Sequence, residues 1–170
     1  MTTPEIAESF ANTLKREHEH LAENRSRVLT RLVWFVAIDA YALLNARPYW
    51  VAIAGRPIEG SAILWLSLPW LLSATLGVAT HFISDSLATN QDNYFNMMVA
   101  AVDLVRIQSA KAKPNEEAFQ ALVYETDPRF QKDKKTIARL DRTLRLLELL
   151  TFSLLVLGLV WSVVGPFVVA

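Results

Sequence analysis

The sequence predicts an all-α integral membrane protein with three transmembrane helices and amphipathic cytosolic helices. Hydrophobic residues make up 52% of the 170 positions and are concentrated in three long stretches instead of being spread at helix or strand spacing. Basic residues are distributed unevenly between the segments that separate these stretches. The chain has only five glycines, which argues against a disordered or loop-rich protein.

The second and third stretches are the clearest candidates for membrane spans. From Gly60 to Ser84, about 25 residues contain no Asp, Glu, Lys or Arg, enough helix to cross a hydrocarbon layer of roughly 30 Å. From Leu149 to Ala170, about 22 residues are also free of charge. We therefore expect spans at about 61–83 and 146–170.

The first stretch, residues 28–44, is a weaker candidate. At about 17 residues it is at the short limit for a span, and it contains Asp39. An interfacial or re-entrant helix is the alternative.

The basic residues favour a spanning first stretch. Only Arg47 and Arg56 lie in the loop after it, and we place Tyr49 and Trp50 in this loop as interfacial anchors. Basic residues before it are Lys15, Arg16, Arg25, Arg27 and Arg31, and those between the second and third spans are Arg106, Lys111, Lys113, Arg129, Lys132, Lys134, Lys135, Arg139, Arg142 and Arg145. The positive-inside rule therefore predicts a multi-pass inner-membrane protein with a cytosolic amino terminus, a hairpin over 28–84 and an external carboxyl terminus.

The segments outside the spans carry helical patterns. Residues 1–27 are expected to form a cytosolic amphipathic helix that starts at Thr3-Pro4-Glu5, and they contain no apolar block typical of a cleaved secretory signal. Its apolar stripe is Ile6, Phe10, Leu14, Leu21 and Val28. This helix could pack against the other cytosolic helices or lie on the lipid surface.

The cytosolic region 85–145 is also predicted to be helical. A stripe that includes Met98 and Val105 ends near Pro114, a short helix follows over about 115–125, and Asp127-Pro128 marks a turn. Beyond the turn, apolar positions continue in period into the third span. The last cytosolic helix is therefore expected to be continuous with that span.

Asp39 is the most unusual residue, because an acid near mid-membrane costs roughly 2.5 to 3.5 kcal/mol. We expect it either to line a hydrated path or proton site, or to join helices as a protonated or hydrogen-bonded acid through Ser73, Thr80 or a neighbouring subunit. His81, about one turn nearer the cytosol, is a second candidate polar residue.

The third span carries small and polar residues along one face. They are Glu148, Thr151, Gly158, Ser162 and Gly165, with Leu155 among them. Such a face is typical of close helix packing in lipid. Alternatively it lines a pore axis in an oligomer, with Glu148 forming an acidic ring at the cytosolic mouth.

A basic cluster precedes the third span. It comprises Lys132, Lys134, Lys135, Arg139, Arg142 and Arg145. Such a cluster attracts anionic lipid headgroups, while a nucleotide or RNA ligand is the less favoured interpretation because no phosphate loop or aromatic stacking pattern accompanies it. The formal charge of zero likewise predicts no direct nucleic-acid binding.

The residues that most enzymes and metal proteins need are scarce. The chain has no cysteine and three histidines, and it lacks Walker, GxSxG, Rossmann and HExxH patterns. Residues 17–20 read Glu-His-Glu-His, but adjacent helix positions do not face one ion, so we interpret them as a solvated helix face. We predict no cofactor, no metal and no enzymatic activity.

The layout favours a homo-oligomeric channel-like or membrane-perturbing effector controlled through its cytosolic helices. In outline it resembles small membrane effectors of bacterial anti-phage systems, a resemblance of layout that carries over no site residue. It implies activation by a cytosolic protein or nucleotide, followed by loss of membrane integrity. The alternative is a non-catalytic accessory or scaffolding subunit of a larger membrane complex, with an intramembrane enzyme a distant third.

Overall fold

The chain forms four helices in the computed structural model, which describes residues 2–109 and 114–169. They are α1 (Thr3–Ala54), α2 (Gly60–Gln108), α3 (Glu116–Glu125) and α4 (Arg129–Val169), and the described residues include no strand. Helices α1, α2 and α4 each contain a stretch long and apolar enough to cross a membrane. The prediction of an all-helical chain with three such helices is confirmed, and their length and composition indicate a membrane protein.

Most of each apolar stretch faces away from the rest of the chain. Only 33% of its residues are buried within the chain in α2, and 17% in α1 and α4. Large exposed side chains such as Trp34, Leu64 and Phe82 lie on these outer faces. A water-soluble protein rarely exposes so much contiguous apolar surface, whereas a membrane span presents it to lipid.

The end of the first apolar helix differs from the prediction. Helix α1 does not stop near residue 44 but continues through Pro48 to Ala54, so the predicted loop position of Tyr49 and Trp50 is wrong. Arg47 and Pro48 mark the end of the apolar stretch, but a proline removes only one backbone hydrogen bond and can lie inside a long helix. The helix ends instead at Gly55, whose φ of 67° is the left-handed conformation that favours glycine.

The chain divides into two compact units, each built from more than one segment. Unit 1 comprises Met1–Ser26 and Asp85–Arg142, and unit 2 comprises Arg27–Ser84 and Thr143–Ala170. Helices α1, α2 and α4 therefore each contribute residues to both units.

Unit 1 has its own apolar core. Phe10 of α1 meets Phe119 of α3 edge to face, with ring centroids 6.4 Å apart. The rest of the buried core is Ile6, Ala7, Leu14, Met98, Ala101, Val102, Val105, Val123 and Phe130. Ile6, Phe10 and Leu14 of the predicted stripe thus pack against residues of α2, α3 and α4, which favours the packing interpretation for this part of α1.

Polar contacts surround this core. The His18 ring stacks on Phe95 at 4.5 Å, and its Nε2 lies 3.5 Å from a carboxylate oxygen of Asp92. His20 instead contacts Asn24, so the two histidines of the run at 17–20 lie in different environments. Burial and the neighbouring Tyr124 raise the pKa of Tyr94 above its usual value, which keeps this phenol protonated.

Side-chain capping defines the turn before the last helix. Asn115 accepts a hydrogen bond from the Ala118 amide at 2.8 Å and begins α3. Asp127 accepts from the Arg129 amide at 2.8 Å and pairs with its guanidinium at 2.6 Å, which lowers the pKa of Asp127. The predicted short helix and the turn at Asp127-Pro128 are both present.

We expect Phe119→Ala to destabilise unit 1 by about 3 to 5 kcal/mol, because the removed ring leaves a cavity in a fully buried site. Amide hydrogen exchange of residues 3–26 and 85–108 in the detergent-solubilised protein measures the loss. Leu122→Ala, on the exposed side of the same helix, is the matched control. Equal protection in the two variants would contradict the assigned core.

Candidate functional site

Helices α2 and α4 of unit 2 are held together by a tryptophan seated on a glycine. A β-carbon at Gly158 would lie 2.9 Å from the Trp70 ring, so only glycine fits there. The Trp70 indole also donates a hydrogen bond to the Ser162 hydroxyl at 3.1 Å. About one turn after Ser162, a β-carbon at Gly165 would lie 2.5 Å from the Leu66 side chain.

These contacts show where the predicted small-residue face of the third span lies. Gly158, Ser162 and Gly165 all meet side chains of α2 in the same chain. The arrangement supports the helix-packing interpretation of this face, because a surface already occupied by Trp70 and Leu66 is not free to line an axis between copies.

Five fully buried polar side chains form a line inside unit 2, which we call the polar seam. They are Asp39 of α1, Ser73, Thr80 and Ser84 of α2, and Thr151 of α4. The seam residues of α2 follow the spacing of one helix face, with Gly77 between them. A β-carbon at Gly77 would lie 2.7 Å from Val36 and 3.8 Å from Thr151, so α1 and α4 both approach α2 at this glycine.

Asp39 lies in the seam without a hydrogen-bond donor. Its residue is 0% exposed, and neither carboxyl oxygen has a partner among the described residues. Ser73 is a polar neighbour of Asp39, but the Ser73 hydroxyl donates to the Thr151 carbonyl at 3.2 Å. Thr80 donates to the Leu76 carbonyl of its own helix at 2.7 Å. Neither of the two predicted hydroxyl partners therefore satisfies the carboxyl.

The contacts fix the order of residues along the seam. Val36 meets Gly77, and Asp39 lies beside Ser73, so α1 and α2 run antiparallel. Ser84 is 11 positions from Ser73, or about 16 Å along the helix axis at 1.5 Å per residue. The seam therefore extends from Asp39 toward the Ser84 end of unit 2.

An ion pair lies between Asp39 and that end. The Arg31 guanidinium donates to Glu148 at 2.8 Å, with side-chain exposures of 58% and 16%. Glu148 was predicted from the sequence as a polar residue of the third span, but its pairing with Arg31 was not. The signal was present in the opposite charges of two residues that each stand near the start of an apolar stretch.

Beyond Asp39, on the side away from Ser84, the interior becomes apolar. Trp50, Leu66, Trp70 and Leu155 are buried there, and we call them the aromatic cluster. The indole nitrogen of Trp50 is buried without an acceptor among the described residues. Ser67 is also buried at this end, and its hydroxyl donates to the Ile63 carbonyl of its own helix at 2.8 Å.

The remaining predicted site residues lie outside the seam. His81 is on the exposed face of α2. All six residues of the basic cluster are exposed on α4, and Lys134 lies 5.9 Å from the Tyr124 ring centroid. Within residues 2–109 and 114–169, no group of three His, Asp or Glu side chains is arranged to hold a metal ion.

Comparisons with protein families, curated proteins and solved structures find no match to this chain. The seam offers one carboxyl and four hydroxyls in a fully buried interior, groups that can bind water, and the carboxyl can also exchange a proton. No nucleophile is paired with a base among them, which disfavours covalent chemistry.

We expect Gly158→Ala to loosen the contact between α2 and α4, because the added methyl group would collide with the Trp70 ring. Overpacking of this kind costs about 1 to 3 kcal/mol. The thermal unfolding midpoint in detergent should fall. Gly60→Ala is the matched control, since no atom lies within 4 Å of its added β-carbon, and an equal midpoint for both variants would count against the contact.

Proposed function

We propose that the protein is a small inner-membrane effector that forms a homo-oligomer and lets water and ions cross the membrane when its water-facing helices are engaged. The observation that carries this proposal is the donor-free carboxyl of Asp39 inside the three apolar helices. Intramembrane acids are costly and characteristically mark ion or proton pathways.

A purely structural role explains Asp39 less well. A bundle that served only as an anchor would gain stability from an apolar residue there, because a buried polar group without a partner costs free energy. A conformation in which water reaches the carboxyl avoids this cost and is therefore stabilised relative to the closed one. The hydroxyls of the polar seam beside Asp39 support a route for water and ions through the interior of the bundle. A route along the small-residue face of α4 is less favoured, because that face packs against α2.

The charge distribution supports an orientation for this effector. We propose that unit 1 lies in the cytosol and that the amino terminus is inside, as the basic residues of both cytosolic segments predict. The basic cluster of α4 would then contact anionic headgroups. A cytosolic protein or nucleotide that binds unit 1 would supply the trigger.

A second function is favoured by a different observation. The outer faces of α1, α2 and α4 expose large apolar side chains, among them Trp65, Leu149 and Phe167. Such faces can dock against another membrane protein as well as against lipid. An accessory or scaffolding subunit of a larger membrane complex therefore remains the alternative proposal.

We expect vesicles that contain the purified protein to show ion flux, and Asp39→Leu to reduce that flux by about tenfold or more, because leucine removes the carboxyl that holds water inside the bundle and a tenfold effect needs a barrier change of only about 1.4 kcal/mol. Asp39→Asn should reduce the flux of protons more than the flux of other ions, because the asparagine amide has no carboxyl proton to take up and release. Ala40→Leu adds the same side chain on the exposed face and should behave like the wild type. Full activity of Asp39→Asn together with an effect of Asp39→Leu on assembly alone would refute conduction through this site.

Native mass measurement of the detergent-solubilised protein tests the assembly. We expect a homo-oligomer, with growth arrest or dye uptake in cells that overproduce it. A monomer that leaves the membrane potential unchanged would contradict the effector proposal. Stoichiometric copurification with a larger membrane protein would favour the accessory role.

A further inference from the structure

We infer that Asp39 is a binding site for water and an exchangeable proton that is reached only from the Ser84 end of unit 2, and that the aromatic cluster seals the opposite end. The inference rests on the proposed function in placing unit 2 within a lipid bilayer. It goes further in assigning a ligand, a direction of access and a seal.

The hydroxyls of the seam can hold a file of water molecules. Ser73, Thr80 and Thr151 each donate their proton to a backbone carbonyl, at 3.2, 2.7 and 2.8 Å. Their oxygen lone pairs remain available to accept from water. Ser84, the last hydroxyl of the seam, has no partner among the described residues, so its end of the seam leaves one polar group unsatisfied.

The carboxyl of Asp39 is the last polar group that a row of water molecules along the seam would reach. An ionised carboxylate needs donors, and a buried one that lacks them is strongly disfavoured. A proton on the carboxyl removes the charge, and a water molecule next to it supplies a donor. In this inference both reach Asp39 from the side on which the hydroxyls of the seam follow one another along α2.

The opposite side offers no comparable path. Between Asp39 and the far end of α1 lie Trp50, Leu66, Trp70 and Leu155, all at most 5% exposed. The polar atoms at this end are few and lie among apolar rings: the Trp70 indole donates to Ser162, the Ser67 hydroxyl donates to the Ile63 carbonyl, and the buried Trp50 indole nitrogen has no acceptor among the described residues. Apolar walls of this kind stay dry, which is how hydrophobic constrictions close pores.

Few other titratable groups are near Asp39. On α1, Tyr41 lies two positions away on the exposed face, and Arg31 and Arg47 each lie eight positions away, Arg31 being paired with Glu148 and Arg47 exposed on the side away from Ser84. On α2 the nearest is His81, which lies on the exposed face. On the part of α4 that belongs to unit 2, Glu148 is held by Arg31 and is the only acid among the described residues, and Arg145 is exposed. A proton that enters from the Ser84 end therefore passes this ion pair and then meets only hydroxyls before Asp39.

The absence of cysteine allows a direct test of access. Single variants Ser84→Cys, Thr80→Cys and Leu66→Cys are made in the full chain, embedded in membranes of defined orientation and exposed from each side to a small cationic methanethiosulfonate reagent. Serine and threonine positions tolerate cysteine with little change of volume. Thr89→Cys, at an exposed position of α2, is the positive control.

We expect the reagent to modify the cysteines at 84 and 80 at least about tenfold faster than the one at 66, and from one membrane side only, because a charged reagent follows water and not lipid. Equal rates at 84 and 66, faster modification at 66, or no modification at 84 and 80 while Thr89→Cys reacts would each overturn one-sided access.

A carbodiimide tests the bound proton. Dicyclohexylcarbodiimide takes the proton of a neutral carboxyl onto its nitrogen while the carboxylate oxygen adds to its central carbon. Peptide mass analysis should find this adduct on Asp39 and not on the paired Glu148, with less adduct at higher pH and none in Asp39→Asn. An adduct on Glu148 alone, or no adduct on Asp39 at any pH, would overturn the proton site.

The two proposals fail separately. One-sided labelling with no ion flux in vesicles would leave the proton site standing and reject the channel-like function. Ion flux with equal access to residues 66 and 84 would reject the seal and leave the channel-like function standing.

Discussion

The contact between Trp70 and the Gly158–Ser162 segment of α4 fixes the rest of unit 2. In lipid there is no hydrophobic force between helices, so a close approach at glycine and a hydrogen bond across the interface decide the register. With Trp70 held there, Ser73 comes opposite the Thr151 carbonyl. The polar seam and the aromatic cluster are both consequences of this one register.

The burial of Asp39 within one chain restricts what the acid can do. A carboxyl that is 0% exposed cannot pair with a basic residue of another subunit while the bundle keeps this conformation. A contact between Asp39 and a neighbouring subunit is therefore less compatible with the structure than a role of this acid inside its own bundle. A ligand of such a carboxyl has to be small enough to enter between packed helices, which is why we propose water and the proton.

The sequence predicted the helices better than their pairing. Length and hydropathy located three apolar stretches, and Asn115 and Asp127-Pro128 marked the start of α3 and the turn after it, because caps and prolines act locally. The end of α1 was missed, since Arg47 and Pro48 report where the apolar stretch ends and not where the backbone hydrogen bonding ends. Helix α1 continues to Ala54.

The candidate site was predictable in its residues but not in its geometry. Asp39 stands out by its charge, and the small face of α4 by its spacing. Whether that face meets another copy or the same chain depends on which helix lies opposite, and a single sequence carries no such information. Ser84 and Trp70 gave no individual signal, because serine and tryptophan are common in membrane helices for other reasons.

The missed extension of α1 bears directly on the proposed seal. Trp50 stands 11 positions after Asp39, which is three helical turns, so both side chains point to the same interior face. Had α1 ended at residue 44, the side of Asp39 away from Ser84 would have lacked one of its two buried tryptophan rings. The same helix thus supplies the acid and, about 16 Å further along its axis, the ring that helps to keep water from passing it. The proposed proton site and its proposed seal therefore lie on one continuous helix with Pro48 between them, so a bend at this proline would change how closely Trp50 covers that side of Asp39.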